Sequence, residues 1–304
     1  MTDIATRRLI LVGVDGSPSA QHAVRWAALE ARRRQAPLCL FHACYVPPTT
    51  PYVPVSLPRS YRDALLEQGR EWLVEAERVA VRAAPEVPVR TDLRIGQAAE
   101  QLIHESASAG LVVLGSRGLG GFSGLLVGST AVALAAHGHC PVVVVRGRTL
   151  DAAPPESGPV VVGVDGSPAS EAAVGFAFEA AGSRGVPLVA VHTWNDLTMG
   201  DTWAVAPLGL DYDRIAEDER GLLAERLAGW QEKYPEVELV QHTIKDRPVR
   251  GLLTQAEGAQ LIVVGSRGLG GLRGMFMGST SQALLHHSEC PVAVVRPDRT
   301  DAEE

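Results

Sequence analysis

The feature that most constrains the fold is a shift of 150 residues that lays the second half of the chain on the first. Asp165 falls on Asp15, His192 on His42, Pro235 on Pro85, Gly265 on Gly115, Gly278 on Gly128, Cys290 on Cys140 and Arg296 on Arg146. A period of that length is a duplicated domain, far beyond the repeat of a solenoid. With 304 residues, each copy is long enough to close a core of its own. The expected division is a first domain over 1–146, a linker over 147–158, a second domain over 159–297 and a short tail over 298–304. The linker reads GRTLDAAPPESG, rich in Pro, Gly and small polar residues.

Each copy alternates short apolar runs with helical patterns. In the first, Leu9–Val14 reads as a central strand, and Asp15-Gly16-Ser17-Pro18 turns into a helix with Ala20, Ala23, Val24, Ala27 and Ala31 on one face. Leu38–Ala43 is a second strand, and five prolines make Tyr45–Pro58 a loop. A helix runs to about Ala83 with Leu66, Leu73, Ala76 and Ala80 inward. Val87–Leu93 alternates weakly, as an edge strand does. Ala98–Ser108 is helical, Leu111–Leu114 a strand, Thr130–His137 a helix and Val142–Val145 the last strand. Strands that are nearly continuous apolar runs imply a parallel sheet covered on both faces, and right-handed crossovers make it doubly wound. Ligands in such sheets sit at the carboxyl ends of the strands, where Asp15 and Gly115 both fall.

The stretch of each copy that carries chemistry is Leu111–Thr130, LVVLGSRGLGGFSGLLVGST, returning as LIVVGSRGLGGLRGMFMGST at Leu261–Thr280. It is a buried strand, a glycine-dense loop, and a Ser-Thr pair that signals a helix start. Bare main-chain amides and a helix N-terminus together suit a phosphate chain. One such loop is weak evidence; two of one design are not.

Composition excludes several classes. The net charge of −7 leaves no basic excess for nonspecific nucleic-acid binding. No apolar run reaches the ~18 residues of a membrane span. Arg7-Arg8 precedes an apolar run, but that run ends at Asp15, too short for an export signal. A cytoplasmic protein is expected, with Cys39, Cys44, Cys140 and Cys290 as reduced, buried fillers rather than a zinc site. His42 and His192 read as hydrogen-bonded core histidines, and Trp26, Trp72 and Trp230 as core or interface residues. His286-His287 reads as a helix end. Arg117 and Arg267 read equally well as phosphate grips and as solvated loop tips. Asp15 and Ser17 are rival N-caps of the first helix.

Gly115-x2-Gly118-x9-Gly128-Ser129 and Gly265-x2-Gly268-x9-Gly278-Ser279 resemble the nucleotide-binding signature of the universal stress protein family. The strand ends Val12–Ser17 and Val162–Ser167, and His42 and His192, are similar to that family too. The resemblance covers nearly the whole chain as two copies. It implies the ATP-binding branch and two tandem five-stranded α/β sheets of order 3-2-1-4-5, adenine nucleotide alpha hydrolase-like. It also implies dimer contact along the fifth strand, so the copies would pair within the chain and chains would pair into a homodimer.

The resemblance sets Gly13, Val14 and Asp15 around base and ribose, the backbone of Ala43 at the adenine edge, and Leu114 beside the nucleotide. Gly115 and Gly118 would let the loop approach phosphate without a Cβ in the way. Gly128, Ser129 and Thr130 would offer helix-start amides and hydroxyls. Asp15, repelled by a bare triphosphate, would accept from ribose or base or hold Mg²⁺ bridging to the phosphates. The second-copy counterparts are Gly163, Val164, Asp165, Thr193, Val264, Gly265, Gly268, Gly278, Ser279 and Thr280. Ser281 adds a hydroxyl that Ala131 lacks.

The function expected is that of an ATP-binding stress-response regulator acting through an unidentified protein partner. Its alternatives are a slow ATP hydrolase and a scaffold with a structural nucleotide. No Walker motif, nucleophile elbow or HExxH helix is present, so at most weak ATPase activity is expected and no catalytic residue is assigned.

Overall fold

The computed structural model describes residues 9–46, 59–119, 127–149, 152–194, 211–270 and 276–297. Most of the proline-rich loop, the middle of both glycine loops, Leu150 and Asp151 of the linker and the tail lie outside them. The chain divides into two compact units, Met1–Pro154 and Pro155–Glu304.

In the first unit, strands β1 (Ile10–Gly13), β2 (Leu38–Cys44), β3 (Val89–Ile95), β4 (Leu111–Gly115) and β5 (Val142–Val145) are all parallel, in the order β3-β2-β1-β4-β5. Between them run helices α1 (Pro18–Arg34), α2 (Arg59–Ala83), α3 (Ala98–Ser106) and α4 (Ser129–His137). Helices α1 and α2 pack together on one face and α3 and α4 on the other, the doubly wound arrangement. The second unit repeats it with β6 (Val160–Gly163), β7 (Leu188–Trp194), β8 (Leu239–Lys245), β9 (Leu261–Gly265) and β10 (Val292–Val295). Its helices are α5 (Pro168–Arg184), α6 (Tyr212–Lys233), α7 (Pro248–Gln255) and α8 (Ser279–His287). Its strand order is β8-β7-β6-β9-β10, again 3-2-1-4-5 by position, with every pairing parallel.

The sequence chemistry explains the elements. The inner strands β1, β2 and β4 are buried along almost their whole length, as two covered faces require. In β3 no position is fully buried, as at an edge. That strand begins two residues later than its pattern suggests. Pro85 and Pro88 hold Val87 in a turn, its amide bonded to the Ala84 carbonyl, before the ladder starts. The alanine stripe of α1 is buried throughout. Ser17, not Asp15, caps that helix, its Oγ accepting from the Ala20 amide at 3.1 Å. Cys39 and Cys44 lie within β2. All four cysteines are buried and none forms a disulfide, and burial pushes the thiol of Cys140 up to about 12.

A different end begins α4 and α8. Their N-caps are Gly128 and Gly278, with no side-chain cap, so Ser129 and Thr130 are the first helical residues rather than caps. The reason is local. The Gly128 amide is taken by the Ser116 carbonyl at 2.8 Å, which fixes the chain one residue earlier than the Ser-Thr pair suggests. Gly278 and Ser266 repeat the contact at 2.8 Å.

Candidate functional site

The carboxyl ends of β1, β2 and β4 open onto a cavity of about 430 Å³ in the first unit. Gly13, Val14 and Asp15 bring the end of β1 to it, and Ala43 the end of β2. Leu114, Gly115 and Gly118 bring β4 and its loop, and Gly128, Ser129 and Thr130 the start of α4. Phe41, Leu102 and Val127 supply an apolar lining that sequence reading did not single out. In the second unit a cavity of about 700 Å³ gathers Gly163, Val164, Asp165 and Thr193. Val264, Gly265, Gly268, Gly278, Ser279, Thr280 and Ser281 complete that set. Residues about 100 positions apart in sequence therefore meet in each crevice.

The helix starts set the electrostatics. In α4 the first amide with a partner in the helix is that of Val132, donating to Gly128 at 3.1 Å. Among the described residues no acceptor meets the amides of Ser129, Thr130 and Ala131. Such uncapped donors, with the positive end of the helix dipole, are suited to an anion. A Cβ on Gly128 would have no neighbour closer than 3.7 Å, and its φ of −70° suits any residue. Glycine is thus not needed there for the fold; it leaves space above the amides.

The other glycines serve packing. A Cβ on Gly115 would stand 2.7 Å from the Ser19 backbone, so this glycine lets α1 approach the end of β4. Gly265 meets the Ala169 backbone at 2.7 Å in the same way. A Cβ on Gly118 or Gly268 would strike the carboxylate of Asp15 or Asp165. Those carboxylates tie the loop. Asp15 Oδ1 accepts from the Ser17 amide at 3.0 Å and its hydroxyl at 2.7 Å, and Oδ2 accepts from the Leu119 amide at 3.0 Å. Asp165 accepts from the Ser167 amide at 2.9 Å and the Leu269 amide at 3.2 Å. A contact spanning 104 residues has no sequence signal beyond the paired Asp-Gly-Ser turns.

The histidines are structural donors. His42 is buried, with Nδ1 at 2.7 Å from the Val14 carbonyl, so Nδ1 carries a proton. His192 makes the same bond to Val164 at 2.7 Å, and its Nε2 also lies 2.8 Å from the Glu219 carboxylate. Arg117 lines the first cavity half-buried, while Arg267 lines the second from an exposed position. Burial, and then the like charge of Arg267, holds the Arg296 guanidinium below its ordinary range. The Ser281 hydroxyl donates to the Gly265 carbonyl at 2.6 Å, so its proton is already committed while its oxygen still lines the cavity. No group of three or more His, Cys, Asp or Glu that would cage a metal occurs among the described residues. No helix among them is long and apolar enough to cross a membrane.

The model of the universal stress protein family matches the chain twice, over residues 6–146 and 157–296. A universal stress protein of Mycobacterium tuberculosis is 40% identical over 295 residues, covering 96% of this chain and 97% of that relative. One from Mycolicibacterium smegmatis is 42% identical over 304 residues, covering 98% of this chain and 100% of its own length. The crystal structure of a universal stress protein from Archaeoglobus fulgidus superposes with a TM-score of 0.71 at 21% identity, over 96% of this chain and 99% of that one, a likeness of fold.

Proposed function

The chain belongs to the universal stress protein family, and from that premise we propose that each unit binds one adenine nucleotide, ATP foremost, and that occupancy governs a regulatory role in stress response. The observation that carries this reading is the uncapped start of α4 and α8. Three acceptor-free amides under an open glycine need an anion more than they need anything else in the fold. The apolar lining beside them accommodates a base, and the main chain of Ala43 or Thr193 lies at its edge. Phosphates belong on Ser129–Ala131 and Ser279–Ser281, ribose near Asp15 and Asp165.

Magnesium would arrive with the phosphates. A carboxylate offers about four lone-pair sites, and Asp15 spends two on Ser17 and one on the Leu119 amide. One remains for a metal ion whose other ligands are phosphate oxygens and water. No residue is placed as a general base, so binding rather than turnover is the role proposed. The cytoplasm is the proposed compartment, consistent with four cysteines that form no disulfide. Pairing of the units within the chain through their fifth strands, and a further pairing of chains as a homodimer, are proposed on the family's pattern. Light scattering tests the second.

The test of nucleotide binding is a thermal melt with Mg-ATP. At a hundred times the dissociation constant, linkage predicts about 2.7 kcal/mol of added stability. No shift at millimolar Mg-ATP would remove the reading.

A further inference from the structure

The two cavities differ on the side facing the long helix. In the first unit, Trp72 of α2 lies against the bare face of Gly16 and meets His42 edge-on, ring centroids 5.3 Å apart at 81°. Gly69, one turn earlier, leaves room for that imidazole: a Cβ there would stand 2.6 Å from His42 Cδ2. The equivalent positions in α6 are Leu222 and Glu219, and one turn further on Arg226 replaces Ala76. With no indole in the way, the Arg226 guanidinium lies against the bare face of Gly166, which sits at φ +80°, and Glu219, Leu222 and Arg226 all line the second cavity. None of the corresponding α2 residues lines the first.

The charges on this wall are unequally committed. Glu219 faces His192 Nε2 at 2.8 Å. Asp165 is bonded to two main-chain amides. Arg226 has no hydrogen bond or ion pair among the described residues, and it is half-buried. A half-buried guanidinium that lines a cavity and meets no acceptor is suited to a planar or tetrahedral anion brought in by a ligand. It stands beside Gly166, the residue after Asp165, and so at the end where the nucleotide reading puts the ribose.

We propose that the second cavity takes adenine nucleotides bearing an additional phosphate on the ribose 2′ or 3′ oxygen, with Arg226 as its counter-charge. The first cavity, where Trp72 lies against Gly16 and Ala76 stands in place of Arg226, does not distinguish them. This rests on the nucleotide reading above: the amides of Ser279–Ser281 take the 5′-phosphate, and Arg226 the ribose phosphate.

The test uses the full chain with Gly128→Glu, which silences the first cavity. Calorimetry compares adenosine 2′,5′- and 3′,5′-bisphosphate with AMP. At least one bisphosphate is expected to bind the second site on the order of tenfold more tightly than AMP, the worth of a charge-assisted contact. Arg226→Ala is expected to erase that preference while leaving AMP and ATP affinity within about twofold, and Arg226→Lys to restore part of it. If the Gly128→Glu chain melts early, mass spectrometry of the native chain replaces it: one bisphosphate per chain is expected at concentrations where AMP fills neither site. Equal affinity for bisphosphate and AMP, with ATP still bound, would overturn the proposal alone. So would a preference surviving Arg226→Ala. Failure of every adenylate to bind would overturn the nucleotide reading, and this proposal with it.

Discussion

The two units share a backbone plan and differ in what stands around it. Their sheets have the same order, their glycine loops are tied by the same Asp, and their fourth helices start on the same uncapped glycine. Their walls diverge: Trp72 and Gly69 against Leu222 and Glu219, Ala76 against Arg226. The loop and helix start are the same in both units, while the side facing the long helix differs. Conformational choices diverge too. Helix α1 ends on Gln35 with φ 50°, where α5 ends on Gly185 with φ 61°.

The largest effect should come from breaking one cradle and sparing the other. Gly128→Glu points a carboxylate over the helix-start amides without disturbing the backbone. Nucleotide affinity at the first site should fall on the order of a hundredfold or more, the cost of facing like charges. Gly278→Glu should do the same to the second site only. Equal loss at both sites from either change would show the units are not independent.

Next comes the packing glycine. Gly115→Ala forces a methyl against the Ser19 backbone at 2.7 Å and should cost about 1–3 kcal/mol, seen as a lower denaturant midpoint. Gly265→Ala should match it. A tolerated alanine in one unit would mean that α1 and α5 do not approach their sheets alike.

How far the sequence reaches is plain from particular residues. The strands and the alanine stripe of α1 are legible because burial on both faces, or on one, writes a period that needs no partner to be read. The cavity residues are legible because they sit at strand ends. The start of α4 is not, since Ser-Thr before an apolar run is the commoner cap, and only the Gly128–Ser116 contact moves it. Nor is the purpose of Gly115, whose neighbour Ser19 lies 96 residues back. Arg226 is invisible for a third reason: a helical residue faces a cavity only once the helix has its rotation against the sheet.

A smaller difference concerns acid. Burial raises the Glu105 carboxyl, but hydrogen bonds from Arg94 and His104 more than offset this and leave it below its ordinary value. Arg94 Nη1 donates to Glu105 at 2.6 Å, while its Nη2 and Nε donate to Asp92. A depressed folded value means stability fully present above the ordinary carboxylate range and lost as pH falls through the folded one. The equivalent positions in the second unit are Ile244, Gln255 and His242, which make no such network. Arg94→Ile should therefore flatten the acid limb of the first unit's stability curve, measured by melts between neutral and acid pH. An unchanged limb would assign acid sensitivity elsewhere.

The smallest is conformational. Gln35→Gly relieves a left-handed side chain and should stabilise the first unit by up to about 1 kcal/mol, less what the freer unfolded chain regains. Gly185→Gln should cost a similar amount in the second. Opposite signs in a pair of melts would sharpen the comparison; equal signs would remove it.

The most direct measurement is native mass spectrometry of the intact chain with Mg-ATP. Two adenine nucleotides per chain are expected for the unaltered protein, one for Gly128→Glu, one for Gly278→Glu and none for the double variant. A chain that takes no adenylate at millimolar concentration, or a double variant that still takes two, would contradict the account.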